Sequence, residues 1–122
     1  AMSIPDATME YLTRIEAFAK KYDVLVIVVA HPTKMYKKDD GTLDEPNMYN
    51  IKGGGEWYDA SYHGLLVHRN YEKKTVKVKV LKVKFQNLGE NQAEAHFKWD
   101  HISGNYIPIV DVTNNIMPWE VD

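Results

Sequence analysis

The chain contains no cysteine, which excludes disulfide frameworks and thiolate metal sites and suits a reducing compartment. It also lacks any apolar run of the roughly 20 residues that a membrane helix requires, and no signal peptide is visible. Charge of one sign is missing as well: 15 Lys and Arg stand against 17 Asp and Glu, a formal net charge of −2. Bulk charge therefore does not announce a nucleic-acid or membrane partner. Three catalytic patterns are absent. There is no Gly-x-x-x-x-Gly-Lys-Ser/Thr phosphate loop, no Gly-x-Ser-x-Gly nucleophile elbow and no His-Glu-x-x-His zinc motif. His31, His63, His68, His96 and His101 show no metal-ligand spacing, so no metal site is expected.

What remains is an ordinary globular composition, 44% hydrophobic and 26% charged over 122 residues, the size of one domain or a piece of one. The most informative stretch is the unbroken apolar run at 24–30, mostly β-branched, ending at His31, Pro32 and Lys34. Such a run predicts a strand buried on both faces, as in the middle of a parallel sheet. Ligands of open α/β sheets bind at the carboxyl ends of these strands, so an imidazole there is a sensor or catalytic candidate. A histidine packed at a strand end is the competing reading.

Residues 5–22 predict a helix: Pro5 and Asp6 suit its start, Lys20 and Lys21 its end, and Met9, Leu12, Ile15 and Phe18 supply an apolar stripe. Residues 31–50 form a long polar loop, and loops of that length inside a domain are usually functional. Gly53, Gly54 and Gly55 then read as a hinge or a close backbone contact before a short helix. Residues 64–69 are a second strand and 72–74 a turn. Residues 75–85 alternate with apolar side chains at even positions up to Val80 and at odd positions from Leu81 onward. Because side-chain period in a strand is two, that change of phase predicts a bulge near Val80 and Leu81. Residues 93–99 predict a further strand, and Ser103, Gly104 and Asn105 start a hairpin into 106–110.

Charge is unevenly spread. From Arg69 to Lys84 the chain carries Arg69, Lys73, Lys74, Lys77, Lys79, Lys82 and Lys84 against Glu72 alone. Lys34, Lys37 and Lys38 form a second basic cluster beside Asp39 and Asp40, and the tail beyond Trp99 is acidic. These clusters fit a local phosphate-binding surface or lysines solvated on a strand face. Trp57, Tyr58 and Tyr62 fit base stacking or core packing.

Four ordered blocks carry a resemblance: 27–35 (IVVAHPTKM), 49–55 (YNIKGGG), 64–69 (GLLVHR) and 81–85 (LKVKF) with Gly89, closed by Trp99, Asp100 and 103–106. Over about residues 6–110 the chain resembles the C-terminal part of the RecA-like ATPase domain of hexameric replicative DNA helicases, the phage-type primase-helicases and Twinkle group, with DnaB more distant. The resemblance implies a partial RecA-like α/β fold: a central, partly parallel sheet, a flanking helix and C-terminal antiparallel hairpins. It implies one domain over 1–122, with 1–5 a linker and 111–122 a peripheral tail. His31 matches the family's phosphate sensor. Lys34, Lys37 and Lys38 match its central-channel loop for single-stranded DNA, and Lys52, Gly53 and Gly54 a segment beside that loop. Lys82 and Lys84 match the pair that reaches a neighbouring subunit's nucleotide. Where the family usually has an arginine finger this chain has Lys84, which keeps the charge and loses the planar fork. Either Lys84 is a weaker finger or the trans contact lies elsewhere. Tyr62 stands where relatives often have aspartate.

The phosphate loop, the catalytic glutamate and the Walker B aspartate of such an ATPase would precede residue 1. These residues alone are therefore not expected to hydrolyse ATP. The intact protein is expected to bind ATP and Mg²⁺, to form a hexameric ring on single-stranded DNA, and to be cytoplasmic and bacterial or phage-encoded. The alternatives are a non-enzymatic single-stranded nucleic-acid-binding module, a degraded RecA-like regulator, and a scaffold domain in which His31 and the lysines do nothing special.

Overall fold

The computed structural model describes residues 2–41 and 43–110, so the expected tail at 111–122 lies outside the described residues. Helix α1 spans Ile4–Tyr22. Ser3 caps it, its hydroxyl oxygen accepting from the Asp6 N–H at 3.2 Å, and Pro5 occupies the first turn, where a missing N–H costs nothing. The helix ends at Asp23 in the left-handed conformation (φ 51°), with Val24 N–H donating to the Ala19 carbonyl at 3.1 Å. Leu12 is its buried residue, and α1 packs against a short helix α2, Glu56–Ala60.

Four strands follow: β1, His63–Asn70; β2, Thr75–Val83; β3, Glu94–Asp100; and β4, Asn105–Pro108. They form one sheet in the order β1-β2-β3-β4, antiparallel at every pairing. The fold is α/β in class, with the expected C-terminal hairpin present as β3 and β4. The expected bulge is also present. Gly64 pairs with Lys82 and Leu65 with Val80, so Leu81 is the extra residue that changes the phase of the strand. Val76 is buried in the middle of the sheet, and Met48, on a 3₁₀ turn at Met48–Asn50, packs under Gly64, whose missing side chain makes room for the Met48 sulfur.

The run 24–30 corrects the sequence expectation. It forms no strand, and Leu25, Ile27 and Val29 are 83%, 77% and 84% exposed. The physical reason is a missing ladder. A strand buried on both faces needs hydrogen-bonded neighbours and a covering layer on each side. Among the described residues the four strands satisfy one another in sequence order and none pairs with 24–30. The parallel component of the sheet expected from this run is accordingly not formed among them.

Candidate nucleic-acid and phosphate-contacting residues

Pairing resumes just after His31. Pro32 and Ile51 form an isolated antiparallel bridge, with Thr33 N–H donating to the Asn50 carbonyl at 2.7 Å. This bridge closes the feet of the 31–50 loop. A second isolated bridge, Lys37 with Leu43, folds its outer part back on itself. Asn47 fixes the returning limb: its side-chain oxygen accepts from Tyr49 N–H at 2.8 Å, and its own N–H donates to the Asn50 side chain at 2.8 Å. The loop expected from composition is therefore a tethered excursion with two internal rungs.

On it, Lys34 and Lys37 are exposed and have no ion-pair partner among the described residues, whereas Lys38 is paired with Asp44 at 2.6 Å. His31 is exposed and makes no hydrogen bond among the described residues. Its neighbours Ala30 and Pro32 border a small cavity of about 70 Å³ against Met48, Ile51, Leu65 and Leu81. This places the imidazole at the base of the loop.

The glycine segment is a close contact. Gly53 has φ +112°, and a Cβ there would press into the Thr8 side chain of α1 and come within 3.0 Å of Trp57 Nε1. Trp57 Nε1 in turn donates to the Lys52 carbonyl at 3.0 Å. Backbone conformation and crowding both call for glycine at 53, and Gly54 is also left-handed at φ +75°. The Lys52 side chain is exposed on this turn.

Lys82 and Lys84 are brought together at the end of β2, but their environments differ. Lys82 is partly buried; its ammonium donates to the Tyr58 carbonyl, lies 3.5 Å from the Asp59 carbonyl, and sits 4.6 Å from the Tyr58 ring centroid. It caps the C-terminal carbonyls of α2, a favourable place for a cation. Burial pushes its pKa below the ordinary lysine value, Asp59 opposes that, and the Lys84 charge adds to it. Lys84 is exposed, with its ammonium 4.2 Å from the Tyr62 ring centroid. No hydrogen bond or ion pair joins either lysine to His31 or the loop lysines among the described residues.

Two features escaped the sequence reading. Lys77 and Lys79 of β2 are ion-paired and mostly sheltered rather than freely solvated. Glu45, on the returning limb of the loop, pairs with both Lys77 and Lys79, the latter at 3.0 Å. Glu94 lies 3.6 Å from Lys77 and 3.9 Å from Lys79. The Glu45 carboxyl is held below the ordinary carboxylate range, by the Lys77 hydrogen bond first, against partial burial and with Lys79 helping. The second is Tyr62, whose hydroxyl donates to Glu16 of α1 at 2.7 Å. Alternation on β2 signals where the lysines point, but no local pattern names an acid more than 30 residues away.

Among the described residues no three of His, Asp and Glu gather as metal donors. No helix among them is long and apolar enough to cross a membrane. No family model matches the chain. It is similar to the Twinkle homolog protein, chloroplastic/mitochondrial, of Arabidopsis thaliana, with 29% identity over 102 residues. That alignment covers 80% of this chain and 14% of the relative, so the chain spans about one seventh of that protein's length. The likeness supports a relationship with the helicase family whose ordered blocks the sequence resembles.

Proposed function

We propose that this chain is part of an ATP-dependent replicative DNA helicase or primase-helicase, and that it carries the residues gripping single-stranded DNA. In this reading Lys34 and Lys37 meet backbone phosphates, with Lys38, Lys52, Gly53 and Gly54 beside them. His31 at the loop's base senses the nucleotide's terminal phosphate, and Lys84, with Lys82 behind it, is offered to a neighbouring subunit. Six copies in a ring would multiply weak, sequence-blind contacts. The RecA-like ancestry of the domain, the cytoplasmic setting and the bacterial or phage origin belong to the same proposal.

The observation that supports it best is the tethered loop: its feet are closed by the Pro32 and Ile51 bridge, and two lysines on it lack carboxylate partners among the described residues. A fixed base with exposed cations suits phosphate contact without base readout. In this reading Mg²⁺ and ATP are bound mainly outside these residues. The rival surface, the basic strand β2, is the weaker candidate, since Lys77 and Lys79 are already paired with Glu45 and Glu94.

The test is binding of a fluorescent oligothymidylate across a salt series. The chain binds weakly with a steep salt slope, and Lys34→Ala with Lys37→Ala lowers that slope by about 1.4, roughly 0.7 for each phosphate no longer neutralised. An unchanged slope reassigns the loop.

A further inference from the structure

Three elements converge on one aromatic ring. Tyr62 lies between α2 and β1; Glu16 and Lys20 come from α1; Lys84 and Phe85 follow β2. The Tyr62 hydroxyl donates to Glu16 Oε1 at 2.7 Å, and the same oxygen pairs with Lys20 at 2.8 Å. Phe85 meets the ring edge-on, with centroids 6.4 Å apart at 64°. The Lys84 ammonium lies 4.2 Å from the ring centroid, and the Lys84 N–H donates to the Tyr62 carbonyl at 2.9 Å, which aligns the two backbones. The ring is thus fixed at its hydroxyl, at one edge and at its own backbone.

We propose that Tyr62 is the positioning residue of the Lys84 cation, holding the ammonium on its ring until a polyphosphate draws it away. This rests on the reading of Lys84 as the cation offered to a neighbour's nucleotide. The chemistry supports a released rather than a locked cation. An ammonium over a ring at an exposed site is held weakly, whereas a multiply charged phosphate offers direct charge-assisted hydrogen bonds. Lys82 makes the contrast: it is tied to α2 carbonyls and has less reason to move. Glu16 strengthens the hold. Its carboxyl is kept below the ordinary range by Lys20 first and then by the Tyr62 hydroxyl. A phenol donating to a carboxylate has a more electron-rich ring, and so a better seat for a cation.

The test uses the whole chain with its lysines reductively methylated with ¹³C, which keeps their charge. The Lys84 dimethylamine resonance, identified by its loss in Lys84→Arg, is displaced upfield of the other lysines by the Tyr62 ring current. The displacement shrinks in Glu16→Gln and in Tyr62→Phe, which both lose the phenol–carboxylate bond, and falls furthest in Tyr62→Leu, which leaves only the Phe85 ring, 5.8 Å from the ammonium. A nuclear Overhauser contact between the Lys84 side chain and the Tyr62 ring protons checks the geometry in the unsubstituted chain, should Tyr62→Leu fail to fold. A wild-type resonance at the bulk position with no such contact overturns the positioning role. Inorganic tripolyphosphate then moves the resonance downfield. A displaced resonance that tripolyphosphate leaves in place overturns the release step and the phosphate-seeking reading of Lys84, while the positioning by Tyr62 stands.

Discussion

Replacing Glu45 by Gln removes the carboxylate that ties the returning limb of the 31–50 loop to Lys77 and Lys79 of β2. Lys77 and Lys79 both pair with it, and the three side chains are 24%, 18% and 28% exposed, Glu45 the most. Exposed ion pairs are worth about 0.2–1 kcal/mol each. These are more sheltered than that, but solvent still reaches all three, so the pair together contributes about 1–2 kcal/mol. Glutamine keeps the size and one acceptor oxygen and deletes the charge. For a chain of this length about 1 kcal/mol shifts the melting temperature by roughly 3–6 °C. The variant should therefore melt several degrees below wild type at pH 7 in low salt, and the gap should narrow as salt screens the pair.

The pH dependence follows from the direction of the shift. Glu45 titrates below its ordinary value in the folded chain, so its stabilisation is complete above the unfolded carboxylate pKa and is lost as pH falls through the folded one. Lys77 is shifted upward by the same contact, so its share persists at neutral pH and is lost only as pH rises through its folded value. Differential scanning calorimetry of both proteins should show a constant gap around neutrality that closes in acid. Equal melting temperatures at pH 7, or a gap indifferent to acid, would refute the tether. A double-mutant cycle with Lys79→Met separates the pair energy from loss of packing.

Two stability predictions accompany this one. Gly53→Ala should cost about 2–3 kcal/mol in urea unfolding followed by tryptophan fluorescence, because alanine is strained at φ +112° and its Cβ meets Thr8; an unchanged midpoint would mean that the segment relaxes freely. Leu12→Ala should cost about 2–4 kcal/mol in the same assay, since Leu12 is the buried residue of α1.

What the sequence reveals is what neighbouring residues decide. Pro5, Asp6, Lys20 and Lys21 mark α1 through first-turn and dipole effects that act within a turn, whereas the Ser3 cap is seen only in the structure. The change of phase at Leu81 reveals the bulge because strand parity is a property of consecutive residues. Gly53 is legible as a place of close approach, though not as a contact with Thr8. The electrostatics are not legible. Glu45 and Lys79 are 34 residues apart, and Glu16 and Tyr62 are 46 apart. Charge counts along the chain cannot foresee that Lys77 and Lys79 are neutralised across the fold while Lys34 and Lys37 find no carboxylate among the described residues.

The same distinction bears on His31. Downstream its backbone is pinned, since Thr33 N–H reaches Asn50 and Pro32 bridges Ile51. Upstream, 24–30 belongs to no strand, so nothing in the sheet fixes the direction from which the imidazole is presented. A phosphate sensor must hold its donor to a fraction of an ångström, which an unpaired approach segment cannot do. The proposed contact of the loop lysines with DNA phosphates makes no such demand, because it needs charge more than orientation. The proposed sensor role of His31 requires a further condition: pairing of 24–30 on its hydrogen-bonding edges. In the proposed reading, DNA contact by the loop and phosphate sensing by His31 are therefore separable.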